Sequence, residues 1–536
     1  MQKNSNKENA LKLACEEIAE ILDNSDELGR DDFFKLKRKV CMKYKLSSIP
    51  SNSSILTLLT AKKVDEMRSI LMIKPVRTAS GISVIAVMSK PHPCPPQAQC
   101  VYCPGGVSTG SPKSYTGAEP AALRGAQNNF DSYLEVEARL KQLNAAGHRV
   151  QKSEFIIMGG TFLSFPQEYQ ENFVKGCFDA LNGQKTSNLF ESQKLAETAF
   201  HKNVGLTFET RPDLCREEEV NLMLRFGATR VEIGIQTLDD EIYQCVQRGH
   251  DLNDVVNAIR VAKDSGLKVV AHMMPGLPGS SPEKDLNAFR KLFTESDYKP
   301  DMLKIYPTLV VKSAELYNWW RKGKYLPYDL KTTVNLLADI KKFVPDWVRI
   351  MRIQRDIPAR LIEAGVTKSN LRELVQQEIQ QRDYSCRCIR CREIGLKRRS
   401  HIKFDEGNIK LRSEQYVASA GEEIFMSLVD EHDDSLVGFI RIRKPSTMAH
   451  RTEIKNSRSV LIRELHIYGR VAPIGLTDDT SWQHRGFGGK LMKKAEEIAK
   501  ETFDANKILV MSAIGTRMYY KKLGYKIEGP YMVKKI

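Results

Sequence analysis

The sequence lacks any run of 18 apolar residues, and its mean hydropathy is −0.39. A helix needs about 20 such residues to cross a bilayer, so we expect no membrane-spanning segment. Residues 1–6 also lack the apolar core of a secretory signal. We therefore expect a cytoplasmic protein with no membrane partner.

Cysteine is scarce, with 11 in 536 residues, and it is unevenly placed. Six of these cysteines fall into two tight clusters. Such clustering indicates metal binding and argues against a disulfide framework. The chain length predicts about two to four domains.

The chain is strongly basic, with 82 Lys and Arg against 66 Asp and Glu and a formal charge of +16. This excess favours a polyanionic partner such as nucleic acid, although many basic proteins bind none. Residues 1–75 look helical, and cations alternate with apolar residues between positions 35 and 45. The pattern predicts a tRNA-binding helical extension; the alternative is an ordinary solvated helix face.

The first cysteine cluster, Cys94, Cys100 and Cys103, has the spacing C-x5-C-x2-C. Thiolates bind iron–sulfur clusters or zinc, and three of them leave one iron of a 4Fe-4S cluster open. Structural zinc usually takes four protein ligands. The residues alone leave three interpretations: an open 4Fe-4S site, a three-thiolate zinc site or a redox-sensitive loop.

Strand-like and helix-like segments alternate between residues 76 and 360. The strand candidates are 83–88, 154–158, 204–209, 230–235, 268–273, 302–306 and 348–353. This alternation predicts an α/β fold with a parallel sheet covered by helices, either open or closed as a barrel. Ligands bind such sheets at the carboxyl ends of the strands.

Glycines and polar residues lie on or just after these predicted strands, namely Gly159, Gly160, Glu209, Arg211, Glu232 and Gln236. Glu232 lies inside an apolar strand, where a charge is costly unless it is paired or bound to a ligand. An ion pair with Arg230 or Arg211 is the structural alternative to ligand binding.

The second cysteine cluster is Cys386, Cys388 and Cys391, which offers three thiolates between arginines. We predict zinc at this cluster. The fourth ligand cannot be read from the sequence, and His401 and His466 are the candidates. The alternative is a basic linker without a metal.

From residue 396 the predicted strands become antiparallel, and a glycine turn at 483–489 then opens a helix. Free N–H groups and the helix dipole at such a turn bind phosphate. The sequence Gln483-x-x-Gly486-x-Gly488 is similar to the acetyl-CoA loop of the GNAT N-acetyltransferases. That family often has a tyrosine near the thioester, for which Tyr520 is the first candidate and Tyr519 the second. Packing aromatics are the alternative interpretation of both.

The cysteine loop on a parallel sheet resembles the radical S-adenosylmethionine (radical SAM) enzymes, whose usual spacing is C-x3-C-x2-C. Its combination with a GNAT domain is similar to the catalytic subunits of the Elongator complex. The matching segments are 114–120, 158–162, 209–213, 232–236, 303–308, 463–466 and 529–532. The cysteine spacings point to an archaeal or bacterial-type member that acts without the eukaryotic accessory subunits. A homodimer is left open.

The resemblance implies a radical SAM partial (β/α) barrel followed by a GNAT-type mixed α/β domain. It implies a tRNA carboxymethyluridine synthase, an acyltransferase that uses acetyl-CoA and S-adenosylmethionine to modify carbon five of the wobble uridine. A 4Fe-4S cluster would be bound by Cys94, Cys100 and Cys103. S-adenosylmethionine would be contacted by Gly159, Gly160, Glu209, Arg211, Glu232 and Gln236. Acetyl-CoA would be contacted by Lys152, Glu464, Leu465, His466, Ile467, Gln483, Gly486, Phe487, Gly488, Gly489 and Tyr520.

The predicted domains are the helical extension (1–75), the radical SAM domain (76–365), a linker with the second cysteine cluster (366–395) and the GNAT domain (396–536). Two other functions compete with the synthase. One is a protein lysine acetyltransferase with a structural cysteine domain, and the other is a tRNA-binding scaffold with inactive sites. The open-iron loop argues against the first, and the intact turn with Tyr520 argues against the second.

Overall fold

The computed structural model describes residues 2–25, 28–74, 78, 80–148, 150–397, 406–455, 457–469 and 486–536. The chain forms two compact units, of which the first comprises Met1–Ala79 with Glu137–Gln151 and the second Ser80–Val136 with Lys152–Ile536. Residues 137–151 therefore belong to the first unit, whereas the sequence placed them in the radical SAM domain. None of the described helices is both long and apolar enough to cross a membrane.

Four helices build most of the first unit: α1 (Gln2–Asp23), α2 (Arg30–Lys43), α3 (Asn52–Leu56) and α4 (Ala61–Leu71). Their apolar faces form one core that includes Ile18, Phe33 and Leu71. Two cations of the basic run face inward or are paired. Lys37 is buried and donates to the Asn52 side chain, and Lys43 pairs with a glutamate of α1 at 2.7 Å. The basic run thus presents only part of its charge to solvent.

The second unit contains two seven-stranded sheets. The first sheet consists of β1 (Ser83–Met88), β2 (Lys152–Met158), β3 (Lys202–Thr210), β4 (Arg230–Gln236), β5 (Lys268–Met273), β6 (Met302–Ile305) and β7 (Arg349–Arg352). The strands run parallel in chain order. Among the described residues β1 and β7 are the sheet edges, so the sheet is an open half-barrel, as the alternation pattern allowed.

Helices connect and cover these strands, as parallel pairing requires. They are α5 (Pro120–Gln127), the first residues of α6 (Ser132–Ala145, which from Glu137 onward belongs to the first unit), α7 (Gln167–Asn182), α8 (Leu189–Ala196), α9 (Glu217–Arg225), α10 (Asp240–Cys245), α11 (Leu252–Asp264), α12 (Pro282–Thr294), α13 (Glu315–Arg321), α14 (Leu330–Lys342) and α15 (Leu371–Gln381). Apolar strand residues such as Ile85, Phe208 and Ile233 are fully buried. The carboxyl ends of the seven strands therefore lie together at one edge, the mouth of the half-barrel.

The second sheet has the order β13-β14-β12-β11-β10-β9-β8. Its strands are β8 (Ile409–Ala418), β9 (Gly421–Asp430), β10 (Ser435–Lys444), β11 (Ser459–Ile467), β12 (Lys507–Val510), β13 (Lys526–Glu528) and β14 (Tyr531–Lys535). Its helices and those of the preceding linker are α16 (Ile389–Arg392), α17 (Ile394–Lys397), α18 (Thr452–Lys455), α19 (Phe487–Glu501) and α20 (Arg517–Lys522). The sequence missed β8, because most of this edge strand is exposed and polar.

A network of buried charges joins the two sheets within this unit. Arg463 of β11 donates to both oxygens of Asp301, which precedes β6, and to Glu423 of β9 at 2.7 Å. Arg443 of β10 pairs with Asp264 at the end of α11 at 2.6 Å. All five side chains are at most 1% exposed. Burial is the largest single effect on Asp301 and opposes its ionisation, but Arg463, Lys263 and Arg441 together lower the pKa of this carboxyl.

We predict that Arg463→Met lowers the free energy of unfolding by about 3–5 kcal/mol, because it leaves buried carboxylates short of a cation. The matched control is Arg458→Met, which removes an arginine that is 63% exposed and paired with Asp504. Breaking such a surface pair costs at most about 1 kcal/mol. Urea unfolding measures both variants, and equal midpoints would show that the network adds nothing to stability.

Candidate active site

The first three clustered cysteines lie in the loop that leaves the carboxyl end of β1, and each is partly exposed. The Sγ atom of Cys100 accepts a hydrogen bond from Arg248 at 3.3 Å. Burial opposes ionisation of Cys100, but the Arg248 guanidinium outweighs it and lowers the pKa of the thiol. Burial raises the pKa of Cys94, and Cys103 contributes to the same shift. Three neighbouring thiols at the mouth, one already favoured as thiolate, form a donor set that fits an iron–sulfur cluster.

Arg248 ties this cysteine loop to β4. Its guanidinium also donates to the Gly234 carbonyl at 2.6 Å and to the His250 ring at 3.0 Å. A Cβ atom placed at Gly234 would lie 2.8 Å from the Arg248 Nη2 atom. Position 234 therefore needs glycine so that the arginine can reach the cysteine.

Two predicted carboxylates meet in the mouth together with a histidine. Side-chain atoms of Glu209, Glu232 and His272 lie within 4.8 Å of one another. Glu209 accepts a hydrogen bond from the Tyr115 hydroxyl at 2.7 Å. Glu232 is fully buried and accepts from the His272 ring at 2.8 Å and from Lys304.

Of the two ion pairs considered for Glu232, the one with Arg230 is present at 4.0 Å from the Arg230 Nε atom, whereas Arg211 pairs with Asp213. Lys304 and His272, which the sequence did not indicate, lie closer to the carboxylate. The reason is that alternate residues share one face of a strand, and β5 and β6 bring their own polar residues to that face. Burial opposes ionisation of Glu232, but Lys304 and then His272 lower the pKa of its carboxyl, so it stays charged.

Several buried polar atoms in the mouth lack partners. Glu232 Oε1, Gln236 Oε1 and Arg211 Nη1 make no hydrogen bond within the described part of the chain. Each such atom costs about 1–3 kcal/mol unless a ligand or water satisfies it. The unsatisfied donors and acceptors fit a polar ligand with amino, carboxylate and hydroxyl groups, which S-adenosylmethionine has.

Gly159 and Gly160 follow β2 at the same edge. Their φ angles are 137° and 71°, which favour glycine. A Cβ atom at Gly159 would lie 2.1 Å from the Ser89 Oγ atom, so a side chain there would displace the end of the neighbouring segment. The backbone of this turn therefore approaches the loop after β1 closely.

The predicted acetyl-CoA strand has an open edge. β11 pairs with β10 as far as Ile467, but it pairs with β12 only as far as Ile462. The pairing of β11 with β12 stops at Ile462 because β12 ends at Val510. The backbone of Leu465 and His466 has no β12 partner in the described part of the chain, and an extended ligand such as pantetheine fits this edge.

The glycine turn opens α19 beside this edge. Gly486 has a φ of 76° and caps the helix, and Phe487 is buried. A Cβ atom at Gly489 would meet no atom of the described residues within 4 Å. A Cβ atom at Gly488 would lie 2.9 Å from the Tyr519 hydroxyl. Gln483 lies outside the described residues.

The two candidate tyrosines differ in environment. Tyr519 is 40% exposed, and its hydroxyl lies over the glycine turn. Tyr520 is buried against the rings of Tyr519 and Tyr525, at centroid distances of 5.1 and 6.1 Å. Burial raises the pKa of Tyr520, and its hydroxyl has no hydrogen-bond partner within the described residues. The structure brings Tyr519, rather than Tyr520, to the turn.

On the predicted acetyl-CoA strand, Glu464 is buried and His466 is half-buried. The Glu464 carboxylate pairs with Arg441 at 2.8 Å, so only its backbone is available to a ligand. His466 packs against Phe439 and Tyr468, and burial lowers its pKa to about 4. Lys152 of β2 contributes to the same shift, so it lies within electrostatic reach of the cofactor strand.

The second cysteine cluster is also brought together. The sulfur atoms of Cys386, Cys388 and Cys391 lie within 4.8 Å of one another, and the first two are buried. Lys341 Nζ lies 3.5 Å from the Cys391 sulfur. This compact arrangement is unlike a plain linker.

No fourth His, Cys, Asp or Glu of the described chain joins that group. The prediction of His466 as a ligand was wrong, because β11 holds it against Phe439 and Tyr468. His401 lies outside the described residues.

Sequence reasoning assigned no role to Tyr115, Arg248, His272, Lys304 or Lys341. The sequence could have indicated Tyr115, which lies in the segment 114–120, and His272 and Lys304, which lie on predicted strands. It could not have indicated Arg248 and Lys341, since their contacts depend on loops and helices from distant parts of the chain.

Four family descriptions match the chain. These are the ELP3 N-terminal domain (11–79), the Radical SAM superfamily (94–292), the Radical SAM C-terminal domain (300–381) and the Acetyltransferase (GNAT) family (396–525). The matches confirm the predicted combination of a radical SAM sheet with a GNAT domain.

Curated relatives match over nearly the whole chain. A tRNA uridine(34) acetyltransferase of Methanocaldococcus jannaschii is 48% identical, with 90% of each chain covered. That of Methanocaldococcus infernus is 46% identical over 99% of this chain and 100% of its own. Human Elongator complex protein 3 is 42% identical over 97% and 96%.

A solved structure has the same fold. The archaeal Methanocaldococcus infernus Elp3 with an N-terminal deletion aligns at a TM-score of 0.75 and 45% identity, covering 85% of this chain and 100% of that one. With the relatives above, this places the chain in a known family: it belongs to the family of the archaeal tRNA uridine(34) acetyltransferases and Elongator complex protein 3.

Proposed function

We propose that this protein is a tRNA carboxymethyluridine synthase that uses S-adenosylmethionine and acetyl-CoA to modify carbon five of the wobble uridine. The observation that carries the proposal is the joining of two sites in one compact unit. The cysteine mouth and the open edge of β11 belong to sheets connected by the buried pair of Arg463 and Asp301. A lysine acetyltransferase would not need the buried charges and the unsatisfied hydrogen-bonding atoms at the mouth of the half-barrel, so these features argue against that alternative.

In the half-barrel, Cys94, Cys100 and Cys103 would hold a 4Fe-4S cluster. When bound, the cluster and S-adenosylmethionine supply a carbon-centred radical that removes hydrogen from the acetyl methyl group. The chain's own residues orient that cofactor. Gly159 and Gly160 would offer backbone groups to the amino end, and the unsatisfied atoms of Arg211, Glu232 and Gln236 would bind its polar groups, with Glu209 held by Tyr115.

In the GNAT domain, the strand segment Glu464, Leu465, His466 and Ile467 would pair with pantetheine beyond the part of β11 that β12 covers. The turn at Gly486, Phe487, Gly488 and Gly489 would bind the pyrophosphate. Gln483 belongs to the same proposed turn. The Tyr519 hydroxyl is positioned to contact the cofactor at the turn. Tyr520 would protonate or position the departing sulfur. Lys152 would contact acetyl-CoA from the half-barrel, since it lies within reach of His466.

The compact group of Cys386, Cys388 and Cys391 would bind zinc. Its three sulfurs already lie close together, and the neighbouring Lys341 ammonium favours the thiolate form that binds a metal. The metal would stiffen the connection between α15 and the second sheet.

The net charge of +16 supports tRNA as the partner, with the first unit (predicted as 1–75) contributing to its binding. In that unit Arg38 and Lys39 are exposed. We further propose that the enzyme works in the cytoplasm, without accessory subunits, and a homodimer remains open to measurement.

Anaerobic reconstitution tests the function directly. We expect about four irons per chain. After incubation with tRNA, both cofactors and a chemical one-electron reductant, we expect release of 5′-deoxyadenosine and a carboxymethyl group on wobble uridine by mass analysis. The triple change of Cys94, Cys100 and Cys103 to alanine should remove iron and both products. Cys245→Ala, at an exposed cysteine, is the control. Retained iron in the triple variant would refute the site, and unmodified tRNA despite S-adenosylmethionine cleavage would refute the function.

Elemental analysis tests the zinc site. Aerobically purified protein, with the iron centre lost, should contain close to one zinc per chain, and Cys388→Ala should remove it because the buried Cys388 thiolate is a ligand. The same Cys245→Ala control should keep the metal. If the purified protein contains no zinc, and added zinc does not raise its stability, the segment is a basic linker without a metal.

The two tyrosines should separate chemistry from binding. Tyr520→Phe removes only a hydroxyl, and losing a catalytic acid costs about 100- to 10,000-fold in rate. We expect nearly unchanged acetyl-CoA binding, slow tRNA-stimulated thioester cleavage and intact S-adenosylmethionine cleavage. Tyr519→Phe should instead weaken acetyl-CoA binding.

Tyr525→Phe is the matched control, since the Tyr525 hydroxyl bonds to Glu496 and faces away from the turn's chemistry. Binding is measured by calorimetry and cleavage by thiol release. Parent-like cleavage by the Tyr520 variant would transfer the acid role to Tyr519 or water.

A further inference from the structure

A cavity of about 440 Å³ lies beyond the carboxyl end of β7. Its lining includes Arg352, Arg355, Arg372 and Asp356, with Thr367 and Ser369 at other positions of the wall. We call it the arginine pocket. Neither the radical chemistry nor the acetyl-CoA site described above uses it.

The arginine pocket carries more positive charge than its own carboxylate neutralises. Arg352 pairs with Asp356 at 2.5 Å. Arg355 and Arg372 have no carboxylate partner in the described chain, and each donates only to a backbone carbonyl, those of Ser114 and Met351. Two unneutralised guanidinium groups in one cavity favour an anion with several oxygens, since guanidinium matches phosphate geometry.

The pocket borders the reaction site through two aromatic rings. The Arg355 guanidinium lies 6.0 Å from the ring centre of Tyr115 and 5.9 Å from that of Tyr306. Behind these rings, Tyr115 donates to Glu209, and Tyr306 packs edge-on against His272 at 5.4 Å. Only this aromatic layer separates Arg355 from the carboxylates of the mouth.

We propose that the arginine pocket binds a backbone phosphate of the tRNA next to the wobble uridine. The proposal rests on the proposed function, because it requires the target uracil to enter the mouth. A nucleotide's phosphates stand one sugar away from its base, so a uracil at the mouth brings them to the adjoining pocket. Phosphate contacts fix the register of a nucleic acid, so Arg355 would set which nucleotide reaches the radical.

The test uses an anticodon stem-loop RNA and the full-length chain without cluster or cofactors, with binding followed by fluorescence anisotropy at several salt concentrations. We expect Arg355→Gln to weaken binding about tenfold at low salt. The slope of log affinity against log salt should fall by about 0.7, the value for one lost contact with single-stranded nucleic acid. Arg360→Gln is the matched control, since Arg360 is exposed, nearby and outside the pocket lining.

A second variant guards against a purely structural effect, because Arg355 also bonds to the Ser114 carbonyl. Thr367→Glu leaves that bond in place and adds a negative charge to the lining, so it should weaken binding as well. Replacing either phosphate beside the wobble uridine by uncharged methylphosphonate completes a double-mutant cycle. One of the two replacements should weaken binding to the parent protein but not to the Arg355→Gln variant.

The proposal is overturned if Arg355→Gln and Thr367→Glu both bind like Arg360→Gln, or if the methylphosphonate penalty is the same in parent and variant. Because binding needs neither cluster nor cofactors, this result is separate from the modification assay. A parent that modifies tRNA while Arg355→Gln binds normally would refute only the pocket. A parent that binds the stem-loop through Arg355 but never modifies it would refute only the proposed chemistry.

Discussion

The buried pairing of Arg463 with Asp301 is the interaction on which the arrangement of the second unit depends. Two sheets of different topology meet where these side chains have no access to water. Desolvating both ions is costly, and the cost is offset only when the partner is held in place with further hydrogen bonds. Glu423 and the Leu267 carbonyl supply those bonds to Arg463. A displaced sheet would leave charges buried and unpaired, so the network penalises every other placement.

A second set of contacts holds α20, the helix that carries Tyr519 and Tyr520. Glu197, which follows α8, pairs with Arg517 at 3.1 Å and with Lys521 at 2.8 Å, one on each side of the candidate tyrosines. A Cβ atom at Gly515 would lie 2.5 Å from the Asn203 carbonyl, so the chain just before α20 packs directly on β3. Residues of the half-barrel thus position the helix that carries the two candidate tyrosines.

The mouth of the half-barrel contains both paired charges and polar atoms that make no hydrogen bond in the described chain. Lys304 and His272 keep Glu232 charged, but one of its oxygens stays without a partner in the described chain. The same holds for a side-chain atom of Gln236 and one of Arg211. A folded protein tolerates such atoms where a ligand completes their hydrogen bonds. The site is therefore prepared before the cofactor arrives.

Much of this architecture follows from the sequence. Each strand of the first sheet was predicted to within a few residues, since buried parallel strands are short apolar runs that end in polar residues or glycine. The spacing of Cys386, Cys388 and Cys391 predicted that their sulfurs lie together, and the glycine turn predicted the N-terminus of α19. These features are local, because neighbouring residues determine them.

The tertiary structure decided the partners. The closest partners of Glu232 are Lys304 and His272, which β6 and β5 bring across the sheet, whereas Arg230 of its own strand lies 4.0 Å away. Arg248 reaches Cys100 from 148 residues away in the chain. Spacing within one segment determines which residues share a strand, a turn or a cluster. Contacts between distant segments depend on the packing of whole sheets, and no local pattern carries that information.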